Sequence, residues 1–355
     1  MTTHAGHAAG ATGSHAVVAV TVGDPAGIGP EITARLFAGF RPERSSAILV
    51  GAPIAFGPWL ERAGLEPDST TDDPGAAVAA AREGSGRVIV HDTGERAGFP
   101  VGADSEGGGR HAGKAIKRAC DLTRNWPVGG IVTAPISKKS LNLGNFQFSG
   151  HTEMLARYLN APNCQMMMVC GSFRVVPLTR HVPLRDVADR ITKESVTTCV
   201  RVVADALSNE FGVDSPRIAV CGLNPHAGDG GVLGGEEETV IAPAVEKLRA
   251  EGIDAAGPIP ADAVFPVAER DFRSDPLRRG TYDAYIAMYH DQGLAPFKML
   301  SQRRGVNVTV GLPVVRTSVD HGVAYDLAGR GKAETESLFE AYKLAEDLCL
   351  KRTKT

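Results

Sequence analysis

Short apolar runs alternate with amphipathic stretches along almost the whole chain, and that alternation predicts the order of its elements. Runs at residues 17–22, 47–50, 88–91 and 130–133 read as short strands. Two more, 165–170 and 175–178, lie close enough to pair as a hairpin. Strands at 218–223, 284–289 and 306–310 complete the set. Helical periodicity occupies 30–40, with Pro30 near its start, and 107–124 after a glycine-rich entry. It returns at 194–211, 236–251 and 333–350. Strands that alternate with helices predict an α/β protein with substantial parallel pairing, to which the hairpin adds an antiparallel part. No repeat and no low-complexity linker interrupts residues 16–355, which read as one two-lobed unit around a central cleft. Residues 1–15 are rich in Gly, Ala, Thr and His and lack an apolar stretch. They read as a disordered leader, with His4, His7 and His15 as loose metal binders at most.

Composition narrows the function by exclusion. The formal net charge is -3, so no global basic field exists to hold nucleic acid or an anionic membrane, although a local basic pocket is still open. No apolar run approaches a membrane span. The cysteines at 120, 164, 170, 199, 221 and 349 form no CxxC pair and no zinc-knuckle spacing. They read as buried free thiols of a protein in a reducing cytoplasm.

The candidate chemistry gathers where apolar runs end. Three such runs lead into His181, His226 and His290. Ligands collect at the carboxyl ends of strands in open α/β sheets, and imidazoles placed there can converge on one metal. Each is equally readable as a hydrogen-bonded structural histidine, and spacing alone does not decide. Gly150-His151-Thr152-Glu153 precedes a helical stretch, where His151 or Thr152 can meet an anion or simply cap the helix. Asn224 to Gly231 form a polar, glycine-rich loop. Lys298, Asn307 and Arg316, with the cluster Thr317-Ser318-Val319-Asp320-His321-Gly322, offer charge-assisted contacts to a phosphate or carboxylate. Gly23 to Gly29 lie between a strand and a helix, but their spacing is not GxGxxG, which argues against a Rossmann loop.

Together, Gly23-Asp24-Pro25-Ala26-Gly27-Ile28-Gly29-Pro30-Glu31, Gly150-His151-Thr152-Glu153, His181-Val182-Pro183-Leu184-Arg185-Asp186, Asn224-Pro225-His226-Ala227-Gly228, Tyr289-His290-Asp291-Gln292-Gly293, Gly305-Val306-Asn307-Val308-Thr309 and Arg316-Thr317-Ser318-Val319-Asp320-His321-Gly322 resemble the motifs of 4-hydroxythreonine-4-phosphate dehydrogenases. They occur in the family's order across nearly the whole chain. The resemblance implies an isocitrate/isopropylmalate dehydrogenase-like fold and a homodimer with a shared active site. It implies one divalent ion (zinc, magnesium or cobalt) on His181, His226 and His290, with His290 reaching across the dimer. It implies substrate contacts from His151, Thr152, Lys298, Asn307 and Arg316. It implies NAD or NADP as cofactor, and oxidation of 4-phosphooxy-L-threonine at C3 with loss of carbon dioxide to give 3-amino-2-oxopropyl phosphate. Asp262, Asp291 and Lys298 are the candidates for proton transfer. A relative acting on 4-phospho-D-threonate or 4-phospho-D-erythronate would keep the same phosphate and metal contacts. An acyltransferase of similar fold has no use for three strand-end histidines.

Overall fold

A computed structural model describes residues 15–352. Residues 1–14 of the expected leader lie outside that range, while His15 is placed, with its Nε2 3.2 Å from the Ala81 carbonyl oxygen. Twelve strands form one sheet: β1 Ala16–Thr21, β2 Ser45–Val50, β3 Ser69–Thr71, β4 Val88–His91, β5 Gly130–Thr133, β6 Gln165–Cys170, β7 Phe173–Pro177, β8 Arg217–Cys221, β9 Asp254–Ile259, β10 Ala284–Ala287, β11 Val306–Val310 and β12 Val315–Val319. Their order is β3-β4-β2-β1-β5-β12-β11-β6-β7-β10-β8-β9. The two flanks are parallel, and antiparallel pairing is confined to β12–β11, β11–β6 and the β6–β7 hairpin. The α/β class and its mixed pairing are those expected from the sequence.

Burial explains which patterns were readable. β1, β2, β4 and β5 are covered on both faces and are buried at every position, so they appear as unbroken runs. On β6, β7, β8 and β10 alternate residues serve two cores. Met166, Met168, Phe173, Val175, Ala219 and Tyr285 pack with the helices Ala261–Ser274 and His290–Ser301. Met167, Val169, Val176, Val220 and Ile286 join the main core on the other face. All six cysteines are buried, as thiols rather than disulfides.

Several elements were hidden by local chemistry. The helices Pro53–Ala63, Ala261–Ser274 and His290–Ser301 carry Pro58, Pro266 and Pro296 inside them, and proline normally marks a helix end. The helix expected over 236–251 opens instead with a π turn, Glu237–Ile241, before the α-helix Ala242–Ala250. The residues Arg316, Thr317 and Ser318, expected in a polar cluster, are the middle of β12, and all three are buried.

The glycine-rich entry of the helix Glu106–Asn125 has a packing reason. A Cβ on Gly109 would sit 1.7 Å from the Ser140 carbonyl oxygen, in the helix Lys138–Leu143 that precedes the candidate site. Gly57, inside Pro53–Ala63, has nothing within 4 Å of the same position. Gly109→Ala should therefore cost more than about 3 kcal/mol, because backbone must move. Gly57→Ala should change stability by less than about 1 kcal/mol, because helix propensity favours alanine while the following Pro58 ring crowds a Cβ on helical backbone. Urea unfolding of the two variants checks the contrast.

Candidate functional site

Three contiguous cavities follow the sheet's centre. The middle one, about 190 Å³, lies over β5, β12, β11 and β6 and is lined by Lys138, His151, Thr152, Arg180, Asn307 and Arg316 among others. Its floor is Arg316. This side chain is 2% exposed, yet among the described residues no carboxylate pairs with it. Nη1 donates to Thr309 Oγ1 at 2.8 Å and Nη2 to Thr133 Oγ1 at 2.7 Å, while Nε has no partner. Thr133 in turn donates to Ser318 Oγ at 2.9 Å, so the neutral hydroxyls form a fixed cradle. Burial pulls the guanidinium down to about 10, and the neighbouring Cys164 and Glu153 offset that only partly. A buried cation without a counter-ion is costly, and the cost is relieved when an anion arrives.

The surroundings favour that anion. His151 begins the helix His151–Tyr158 after Gly150, so the helix's positive end faces the cavity. Burial, with Arg316 nearby, holds the His151 imidazole well below its usual range, and its buried Nε2 has no protein partner. Arg180 also leaves a buried Nη1 unpartnered, and Asn307 leaves its buried side-chain oxygen free to accept from a ligand donor. Arg180 and Lys138 were not singled out in the sequence. The signal for Arg180 was available, since it follows the apolar run of β7 directly before His181.

A second cavity, about 270 Å³, shares Arg180 and His181 with the first and adds His290 and Asp291. The rings of His181 and His290 have centroids 5.8 Å apart. Two imidazoles on one ion, each at about 2.0–2.1 Å, would place their centroids roughly 5–6 Å apart. Burial and the Lys138 charge lower the His181 pKa, which keeps its imidazole neutral and able to ligate. His290 Nδ1 lies 2.7 Å from Asp291 Oδ1, an arrangement that turns Nε2 outward as carboxylate–histidine pairs do at metal sites. Within this one chain the two rings already lie side by side. Their strands β7 and β10 are adjacent and parallel, which brings both histidines to the same end.

His226 follows β8, the next parallel neighbour, but its side chain is exposed and lines none of the three cavities. Among the described residues no group of three His, Cys, Asp or Glu side chains is placed to hold a metal. Asp262, in the first turn of Ala261–Ser274, is likewise exposed and outside these cavities. Asp291 is 87% exposed and committed to His290.

The third cavity, about 550 Å³, meets the first at His321, which lines both. Lys298 lines it, with Nζ 3.2 Å from Asp320 Oδ1. Burial raises the Asp320 pKa against the opposing pull of Lys298. The glycine-rich Gly23 to Gly29 loop contributes Ile28, whose N–H donates to the Val323 carbonyl at 3.0 Å. Asp24 anchors that loop by accepting from Ala26 N–H at 3.0 Å and Tyr325 Oη at 2.8 Å. Gly23 holds φ +71, and a Cβ there would reach 2.4 Å from the Pro135 carbonyl oxygen.

Comparison with known proteins follows the same outline. A family model described as "Pyridoxal phosphate biosynthetic protein PdxA" matches residues 62–345. The chain is 42% identical over 344 residues to 4-hydroxythreonine-4-phosphate dehydrogenase of Chromobacterium violaceum, covering 94% of this chain and 96% of that protein. It is 41% identical over 341 residues to D-threonate 4-phosphate dehydrogenase of Cupriavidus necator, covering 95% and 98%. The fold overlays a crystal structure of 4-hydroxythreonine-4-phosphate dehydrogenase from Klebsiella pneumoniae with a TM-score of 0.81 at 35% identity, covering 94% and 99%. No helix among the described residues is long and apolar enough to cross a membrane. Matches of this length and identity make the chain a member of the PdxA family and an NAD-dependent oxidoreductase.

Proposed function

We propose that the chain oxidises 4-phosphooxy-L-threonine at C3 and that the resulting β-keto acid loses carbon dioxide to give 3-amino-2-oxopropyl phosphate. The observation that carries this reading is Arg316, a buried cation held only by hydroxyls beneath a small polar cavity. Arg316, Arg180, Lys138 and the helix end at Gly150 would hold the substrate's phosphate and carboxylate. His151 and Asn307 would orient its hydroxyl and amino groups through their unpartnered atoms. The larger cavity, joined at His321, is where the nicotinamide cofactor would lie, with its reactive ring toward the substrate. The donor set of imidazoles suits a divalent ion. His181 and His290 would hold that ion, which would supply polarisation of the substrate hydroxyl, and a bound nicotinamide would supply the hydride acceptor.

Lys298 with Asp320 is the proton-transfer pair we favour, because it lines the cofactor-side cavity while Asp262 lies outside. Asp291 then serves to orient His290. The ion's third protein ligand would be His226 of a second subunit, since His226 and Asp262 are exposed on the same chain that pairs His181 with His290. A second reading, oxidation of 4-phospho-D-threonate or 4-phospho-D-erythronate, draws on the near-equal identity to D-threonate 4-phosphate dehydrogenase. A substrate panel with NAD and NADP, with and without zinc, magnesium or cobalt, separates the two. Faster reduced-cofactor formation from 4-phosphooxy-L-threonine supports the first reading, and faster turnover of the sugar-acid phosphates establishes the second.

Arg316→Ala should weaken substrate binding by roughly 1.5–3 kcal/mol, seen as a raised KM, because a charge-assisted contact is lost. Unchanged steady-state kinetics would remove Arg316 from the site.

Mixed dimers test the shared ion. In a His226→Ala and His290→Ala mixture, one site of each mixed dimer collects both defects and the other none. About a quarter of normal sites should return on random mixing. The His181→Ala and His290→Ala mixture should recover nothing, because both defects fall in one chain's contribution. Recovery in both mixtures would instead place His290 across the dimer from His181 and His226, and recovery in the second alone would place His181 across from the other two.

A further inference from the structure

The three histidine-bearing segments are joined behind the cavities by hydrogen bonds that no ligand contact requires. Thr179, two residues before His181, donates from Oγ1 to the Met288 carbonyl at 2.8 Å and from its N–H at 3.2 Å. The Met288 N–H, two residues before His290, donates to Gln292 Oε1 at 2.6 Å. Gln292 Nε2 then donates to the Gly222 carbonyl at 2.8 Å, where the chain leaves β8 toward His226. Gln292 thus spans the exits of β10 and β8 with its two amide ends.

The next link is Glu237, which is 2% exposed. Its Oε1 accepts the Leu223 and Asn224 N–H groups, each at 2.7 Å, and its Oε2 accepts Asn224 Nδ2 at 3.0 Å. The loop it holds is strained. His226, Ala227 and Asp229 have φ of 54°, 52° and 45°, in the left-handed region that residues with a Cβ seldom adopt. Glu237 itself opens the π turn, a local irregularity that aims its carboxylate back at the loop. Such a backbone persists only where its surroundings over-determine it.

Neither Gln292 nor Glu237 lines a cavity of the site. We infer that Gln292 and Glu237 are positioning residues that hold the His226 loop and the His181–His290 pair in one fixed geometry, so that each can meet its counterpart in a second subunit, and so set metal affinity. The inference rests on the reading of the three histidines as metal ligands.

The test uses the full-length chain stripped of metal and titrated with cobalt(II) by visible absorbance. In parallel, hydrogen exchange is followed in the metal-free protein. Gln292→Ala and Glu237→Ala should bind cobalt at least about 10-fold more weakly, the usual loss when a ligand's supporting contact goes. Gln292→Ala should also lose amide protection in residues 222–224 and 288–290 together. Glu237→Gln keeps an oxygen for the Leu223 and Asn224 amides and should retain most of the affinity. If Gln292→Ala does not fold, Gln292→Glu serves instead, since it keeps the acceptor for Met288 and loses the donor to Gly222. A purely structural role would lower the Tm and leave cobalt affinity unchanged, and that result overturns the inference. Unchanged exchange in both segments overturns it as well. His290→Ala separates the two readings. Cobalt binding that survives this change overturns the metal reading and this one with it. Binding lost in His290→Ala but kept in Gln292→Ala overturns this one alone.

Discussion

The structure turns on a positive charge buried in the middle of its sheet. Arg316 sits on β12 between β5 and β11, with Thr133 and Thr309 as its partners and no acid to neutralise it. An aspartate in reach would remove the cost of burial and also remove any reason for an anion to bind. The chain instead surrounds the arginine with Lys138, Arg180 and a helix N-terminus, each of which adds to the same unmet demand. His151 answers to this field too. An imidazole beside a buried guanidinium stays neutral and keeps a ring nitrogen for hydrogen bonding.

Sheet topology explains how so many groups converge on that charge. Because β6 pairs antiparallel with β7, the carboxyl ends of β5 and β7 point in opposite directions. Residues 135–138 leave one end and residues 180–181 leave the other, yet both line the same cavity. The short antiparallel insert of β11 and β6 turns two parallel flanks to face each other across a common floor. A uniformly parallel sheet would send all these loops to a single edge.

Legibility in the sequence followed burial. Strands covered on both faces announced themselves as apolar runs, whereas β12 did not, because its buried positions include Arg316, Thr317 and Ser318. Arg316 was visible as a candidate, but its burial was not. A cation in a polar cluster looks solvated until neighbouring strands are known. The helix Ala261–Ser274 was hidden by Pro266, and with it the surface setting of Asp262. The three histidines were legible as strand-end residues. Which of them meet depended on the order β7-β10-β8, which no local pattern encodes. Lys138 lacked a distinguishing pattern, because a single basic residue beyond a strand is ordinary until its partners are counted, whereas Arg180 stands directly between the β7 run and His181.

The exposure of His226 and the strain of its loop belong to one argument. A left-handed run of residues with side chains is unfavourable in isolation, and here it is held by a buried carboxylate on a π turn and by the amide of Gln292. Sheet packing alone would tolerate a relaxed turn after β8, and a solvent-facing histidine gains nothing from such precision. The strain becomes intelligible if His226 must present its ring at a fixed distance to something beyond its own chain. Two imidazoles from His181 and His290 leave a divalent ion short of a third protein ligand. On the reading we propose, assembly supplies it, so metal affinity and subunit association reinforce each other by mass action. A site completed in this way would be silent in the lone subunit, and ion binding would then be confined to the assembled form.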